Sequence, residues 1–313
     1  MDSKIKGAAY GAISAVSYGV NPLFAKMLYA DGVNTISVLV YRFAFGATIL
    51  ALTMLFSRQR FALTRREALV LFVLGALFAL SSVTYFISFH YMDGGVAATL
   101  VFAYPVMVAI IMAVCFRERL ALPTYVSILL TIGGLALLYR GGDGQPIAPL
   151  GFAIVLLSAL SYALYIVAVN RSGIVMSSVK LTFYAMLICM LCIVAYSLPA
   201  GEPIVLLEGW REWGAAVGLG LIPTVISLVF MAKAIRCIGS TPTAIMGALE
   251  PVTAIVLGIV FLGEVLTVRL AFGVVLILLA VLLVITGGRL QRSRVVQYVV
   301  ARGRLVRRRW RWK

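Results

Sequence analysis

The sequence predicts an all-α membrane protein of ten transmembrane helices, arranged as two inverted five-helix repeats. Composition points there first. Of the 313 residues, 63% are hydrophobic and 12% charged, with a mean hydropathy of +1.06; a soluble domain sits nearer half apolar and a quarter charged. The second observation is a unit that occurs twice. VAATLVFAYPVMVAIIMAVCFRERL holds Pro105 and Glu118, and TAIMGALEPVTAIVLGIVFLGEVL holds Pro251 and Glu264. Thirteen positions separate proline from glutamate in each, and 146 separate the two copies. The third is the placement of Lys and Arg, which fall mostly on alternate connections.

A helix needs roughly twenty apolar residues to cross a bilayer. By that rule the spans lie at 5–29, 35–56, 67–90, 94–116, 121–140, 147–170, 177–198, 212–235, 240–262 and 267–287. The connections are short, and many carry Gly, Pro or charge, as in Arg58–Arg66, Arg117–Arg119 and Gly263-Glu264. Span 1 follows Lys4 and Lys6 and runs on through Pro22 without a small-residue cleavage pattern, so no cleaved signal is expected. The repeats divide the chain into 1–142 and 143–288, followed by a basic tail, 289–313. An odd number of spans in each repeat inverts the second copy, which puts a substrate site near the midplane between the halves.

All but five of the 27 basic residues fall on one side of this arrangement; the five are Lys26, Arg42, Arg140, Arg211 and Arg269. Basic residues are retained on the cytoplasmic side, so both termini are expected in the cytoplasm, and the inner (plasma) membrane is the expected location. The net charge of +16 is thereby assigned to topology and not to nucleic acid. The tail interleaves Val296, Val299, Val300, Val306 and Trp310 with arginines, a pattern for an amphipathic helix on anionic lipid. Cys115, Cys189, Cys192 and Cys237 sit in or beside apolar runs. No metal site, cofactor or redox motif is expected from them.

Several residues are candidates for the site. Pro105 and Pro251 lie mid-span, where a missing N–H frees a carbonyl one turn earlier, near Val101 and Gly247. They are candidate hinges or cavity-wall breaks, or packing kinks. Pro223 in span 8 has no repeat partner. Glu250 is the acid well inside a span, and Tyr104 holds its position in the first repeat. A carboxylate there is costly, so it takes a proton, meets a substrate ammonium or braces the kink. Arg42 is too deep for easy snorkelling and is placed in a pair or a cavity, where it suits a substrate carboxylate. Lys26 reads as a snorkelling anchor, His90 as an interfacial histidine, and Glu118 and Glu264 as structural pairs or caps.

Polar faces complete the candidate lining. Ser14, Ser17, Tyr18 and Asn21 in span 1 share the spacing of Ser158, Ser161, Tyr162 and Tyr165 in span 6. Span 3 adds Ser81, Tyr85 and Ser88, and span 8 adds Thr224, Ser227 and Met231. Hydroxyls and rings suit a small amphipathic solute, but small polar residues also mark helix–helix packing in lipid.

Ser17-Tyr18-Gly19 with Asn21-Pro22, Arg42-Phe43, the paired prolines and the Arg117-Glu118-Arg119-Leu120 and Gly263-Glu264-Val265-Leu266 endings resemble the EamA-type drug/metabolite transporter superfamily over about 5–287. The resemblance implies a five-plus-five inverted repeat that exports or exchanges small metabolites. Aromatic amino-acid exporters of the YddG type and threonine/homoserine exporters share this look.

The expected function is therefore secondary export of amino acids, aromatic ones included, or similar small metabolites by alternating access. The expected partners are a small-molecule substrate and membrane lipids; no nucleic acid is expected, and the chain is expected to act as a monomer. No G-x-x-x-x-G-K-[ST] occurs, which excludes a self-contained ATP pump. A flippase for lipids or lipid-linked carriers on the same scaffold is the alternative. An enzyme acting on lipid-linked sugars or phosphates needs clustered acids, histidines or metal ligands, and one buried acid plus one histidine falls short.

Overall fold

The structure is a computed structural model that describes residues 3–117, 122–139, 147–174, 176–238, 243 and 246–283. Helices and short connections account for these residues, with no strand among them. Glu118, Arg119, Leu120, Arg140 and the basic tail lie outside the described residues.

Span 1 consists of α1 (Ser3–Gly19) and α2 (Asn21–Ala30), followed by α3 (Thr35–Phe56) and α4 (Arg65–Ser88). Span 4 divides into α5 (Gly94–Val101) and α6 (Tyr104–Phe116), and α7 covers Leu122–Leu138. Next come α8 (Pro149–Arg171) and α9 (Ser178–Ala200). Span 8 is α10 (Trp210–Gly220), a π-helical turn (Leu221–Ile226) and α11 (Ser227–Ile238). The last two described helices are α12 (Leu249–Leu262) and α13 (Val268–Leu283). Among the described residues, six stretches are long and apolar enough to cross a membrane, with α7, α12 and α13 shorter but apolar.

Local chemistry sets the helix ends. The Asn34 side chain accepts from Ser37 N–H at 2.8 Å and so starts α3. Thr64 and Glu67 form a reciprocal capping box that starts α4. Proline opens α8 in its first turn, where the missing N–H is harmless. The mid-span prolines act differently. Each of Pro22 and Pro105 follows a real break, at Val20 and at Phe102–Ala103, and sits in the first turn of the new helix. Pro251 likewise lies in the first turn of α12. Pro223 falls inside the π-helical turn, whose longer hydrogen-bond spacing accommodates a residue that cannot donate.

The packing of one half recurs in the other. α1 lies on α11 as α8 lies on α4, and α12 lies on α1 as α6 lies on α8. α3 packs on α9, and α5 packs on α12, so the halves meet through corresponding elements. Serines mark the first of these relations. Ser14 Oγ donates to the Ser227 carbonyl at 2.8 Å, and the Ser81 and Ser158 hydroxyls donate to each other's carbonyls at 3.1 and 2.8 Å. Small polar residues let helices approach closely and bond where no water is available.

Outside this interior the surface is apolar. Val114 is 74% exposed, Leu129 70% and Leu198 80%, each on a helix whose other face is packed. Continuous exposed apolar faces of this kind belong in lipid. The chain is a multi-pass membrane protein.

The α4–α9 contact is tight at Gly75, where a Cβ would lie 2.5 Å from Ile188 Cγ2 and 2.6 Å from Ile188 Cβ. Gly75→Val is expected to destabilise the protein by about 1–3 kcal/mol, the usual cost of overpacking. Thermal unfolding in detergent, compared with the parent, checks this.

Candidate functional site

A cavity of about 120 Å³ opens where the broken helices meet, lined from α1, α3, α4, α5, α6, α8, α11 and α12. A single water needs at least about 10–15 Å³ of such space, so the cavity is roomy enough for several waters or a small organic solute. Tyr18 and Gly19 reach it from the end of α1, Arg42 from α3, and Phe78, Ser81, Ser82 and Tyr85 from α4. Ala98, Val101, Phe102 and Tyr104 come from the break in span 4, and Ser158 and Tyr162 from α8. Ser227, Leu228 and Met231 on α11 and Glu250 on α12 complete the wall.

The prolines themselves do not line the cavity; the residues before them do. Tyr104 precedes Pro105 and Glu250 precedes Pro251, the first as the opening residue of α6 and the second in the first turn of α12. Breaking each span brings the first turn of its second half to the cavity wall. The expected free carbonyl at Gly247 is not free, because it accepts from Glu250 N–H at 2.9 Å.

Arg42 is only 4% exposed. Its Nε donates to Thr224 Oγ1 at 3.3 Å, and its guanidinium stands over the rings of Phe43 and Phe86 at 5.4 and 5.2 Å from their centroids. The π-helical turn makes the first contact possible: Thr224 Oγ1 donates to the Leu219 carbonyl five residues back and presents its oxygen toward α3. Glu250 lines the same cavity, yet the two side chains form no ion pair with each other, and Glu250 has none among the described residues.

Aromatic rings form the rest of the wall. Phe102 meets Tyr104 at 5.9 Å, Tyr104 meets Tyr162 edge-on at 4.7 Å, and Tyr162 meets Phe78 at 6.3 Å between centroids. Phe78, Phe102 and Ser82 were not among the residues expected from sequence; an alternation of aromatic and small residues inside an all-apolar helix carries no distinctive signal.

Other expected residues lie behind the wall. Ser14 is engaged with Ser227, and Ser17 and Ser161 are buried. Tyr165 stacks on Tyr162 at 5.8 Å and meets Phe78 at a tilt at 5.4 Å without lining the cavity. Asn21 is 1% exposed, and its Nδ2 donates to the Tyr18 carbonyl at 2.8 Å. That carbonyl is the one Pro22 cannot bond, so the asparagine mends the break the proline makes. His90 stacks on Tyr29 at 4.4 Å and bonds Thr35, outside the cavity.

Lys26 is not a free snorkelling side chain. Its Nζ pairs with Glu264 Oε1 at 2.9 Å. Glu264 also accepts from Gly94 N–H at 2.6 Å and from Gly95 N–H at 3.2 Å, which makes it the cap of α5. Cys189 is buried, all four cysteines are free, and no group of metal-ligating side chains occurs among the described residues.

Known proteins agree with this architecture. The EamA-like transporter family matches residues 5–140 and again 149–286. An uncharacterized transporter of Archaeoglobus fulgidus is 28% identical over 279 residues, covering 88% of this chain and 95% of the relative. The threonine/homoserine exporter RhtA of Escherichia coli K12 is 27% identical over 261 residues, 82% of either chain. A solved structure, described as a crystal structure of a protein, superposes with a TM-score of 0.65 at 20% identity, over 92% of this chain and 99% of the other; it speaks for the fold alone. With a cavity walled from both matched segments, and the family pattern occurring twice along its length, the chain belongs to the EamA-like transporter family of the drug/metabolite transporter superfamily.

Proposed function

We propose that the protein is a secondary transporter exporting amino acids, or closely similar small zwitterionic metabolites, across the inner membrane by alternating access. The observation that carries this reading is the pair Arg42 and Glu250: a basic and an acidic side chain on one cavity, with no ion pair between them. A solute with a carboxylate and an ammonium offers a partner to each, and the Phe102–Tyr104–Tyr162–Phe78 wall suits its apolar part. The likeness to a threonine/homoserine exporter supports the same class. Ten spans in two inverted halves, 1–142 and 143–288, with cytoplasmic termini and the tail 289–313 on the cytoplasmic leaflet, complete the reading.

Counterflow of an amino-acid panel in proteoliposomes, with and without an imposed pH gradient, tests it. Saturable movement of one amino-acid class is expected. Movement of lipid-linked carriers with no amino acid moved overturns it in favour of a flippase. Within the wall, Tyr18→Ala combined with Tyr162→Ala is expected to change the order of preference among substrates; normal preference at reduced protein yield makes the two tyrosines packing residues.

A further inference from the structure

Three helix segments run from the cavity toward the same end of the molecule, and one side chain ties their far ends together. α2 leaves the cavity level just after Tyr18 and Gly19 and reaches Lys26 about 10–12 Å further on, at 1.5 Å per residue. α5 begins at Gly94, about 6–10 Å beyond the cavity residues Ala98 and Val101. α12 starts at the cavity with Glu250 and ends at Leu262, where Gly263 turns the chain back in the left-handed region (φ 70°). That turn lets Glu264 N–H bond the Gly258 carbonyl at 3.0 Å and folds the Glu264 side chain over its own helix. A Cβ on Gly258 would lie 2.1 Å from Glu264 Oε2, so the carboxylate occupies space that exists because residue 258 is glycine.

From there Glu264 accepts from Lys26 and from the first two amides of α5. Asp93, at the N-cap of α5, makes no side-chain capping bond there; Glu264, 170 residues beyond Gly94, does the capping. The carboxylate is 8% exposed and the ammonium 22%. Short charge-assisted bonds in a nearly dry setting are stronger than surface pairs. All three of Glu264's partners lie in the first matched segment, whereas Glu264 itself lies in the second.

We propose that Glu264 is a latch that holds the cavity closed on the face opposite the amino terminus, and that opening toward that face requires Lys26 and the α5 amides to release it. This rests on the alternating-access reading. A packed interface alone has no need of one carboxylate bridging the two halves at the far end of the very segments that wall the cavity. With the latch engaged, α2 and α5 are drawn against α12; with it released, the α5–α12 contact beside it is free to part.

The test uses the full chain in proteoliposomes, with its four native cysteines replaced by serine or alanine and Ala98→Cys as a reporter on the cavity wall. The reporter is labelled by a membrane-impermeant thiol reagent from the face opposite the termini. Glu264→Gln is expected to raise the labelling rate about tenfold, the factor that corresponds to losing one charge-assisted contact. Lys26→Met is expected to raise it less, because both amide bonds to Glu264 remain. Equal rates in parent and both variants overturn the latch. If Glu264→Gln fails to fold, Glu264→Asp serves instead: its side chain is one methylene too short to hold Lys26 and both α5 amides at once, so faster labelling is expected, and an unchanged rate overturns the proposal. Labelling needs no substrate. Changed rates in a protein that moves no amino acid leave the latch standing and remove the substrate reading, and amino-acid transport with unchanged rates removes the latch alone.

Discussion

Arg42→Gln is expected to reduce transport of a neutral amino acid by roughly a hundredfold, the scale on which removing one member of a buried charge contact acts. The guanidinium is held at 4% exposure by neutral groups: the Thr224 hydroxyl, the Tyr18 hydroxyl and the faces of Phe43 and Phe86, none of which supplies a negative charge. A substrate carboxylate does. Glutamine keeps the polar contact and much of the bulk, so the loss should fall on transport and not on folding. The measurement is counterflow of three solutes: an amino acid, its amide and its deaminated acid. The parent should prefer the intact amino acid over both analogues. Arg42→Gln should lose the discrimination against the amide and keep that against the deaminated acid. Arg42→Lys should not restore activity, because an ammonium cannot reproduce the Nε bond and the two ring contacts at once. An unchanged order of preference at normal thermal stability leaves Arg42 a packing residue.

Glu250→Gln is the complementary test, with an expected loss of similar size. The carboxyl lines the cavity next to a helix break and has no ion pair among the described residues. If it receives the substrate ammonium, the glutamine variant should stop distinguishing the amino acid from its deaminated acid while still rejecting the amide. If it carries a coupling proton instead, the variant should retain counterflow but no longer respond to an imposed pH gradient. Full transport with an intact gradient response removes Glu250 from both roles. The contrast between the two substitutions is the stringent part, since a general loss of structure erases both kinds of discrimination at once.

The site was legible in the sequence where a residue's position follows from the backbone. Tyr104 and Glu250 hold equivalent positions before the duplicated prolines, and a mid-span proline lacks the N–H that would continue the helix, so both could be placed at a candidate mid-membrane break. Arg42 stood out because a cation that deep in an apolar run has few tolerable surroundings. The serine faces were legible as faces, but not as to what each met. Ser81, Ser158 and Ser227 reach the cavity, while Ser14 bonds across to α11 and Ser17 and Ser161 are packed away. A helical period fixes which residues share a side, and the partner on that side is a tertiary fact. Asn21 had the same ambiguity, resolved by the one carbonyl that Pro22 leaves without a donor.

What the sequence by itself determined is the all-helical membrane class, the twofold repeat and the breaks at the duplicated prolines, while the break at Val20, before Pro22, appeared only in the structure. Each of those first three follows from hydropathy, period and proline stereochemistry acting within about twenty residues. The tertiary structure alone decided that Arg42 and Glu250 share one cavity without pairing, that Thr224 steadies the arginine through a π-helical turn, and that Lys26 meets a glutamate 238 residues away. Those relations depend on how helices far apart in the chain pack against one another. In lipid that packing is governed by close contact and buried polar bonds, and no local pattern of residues encodes it.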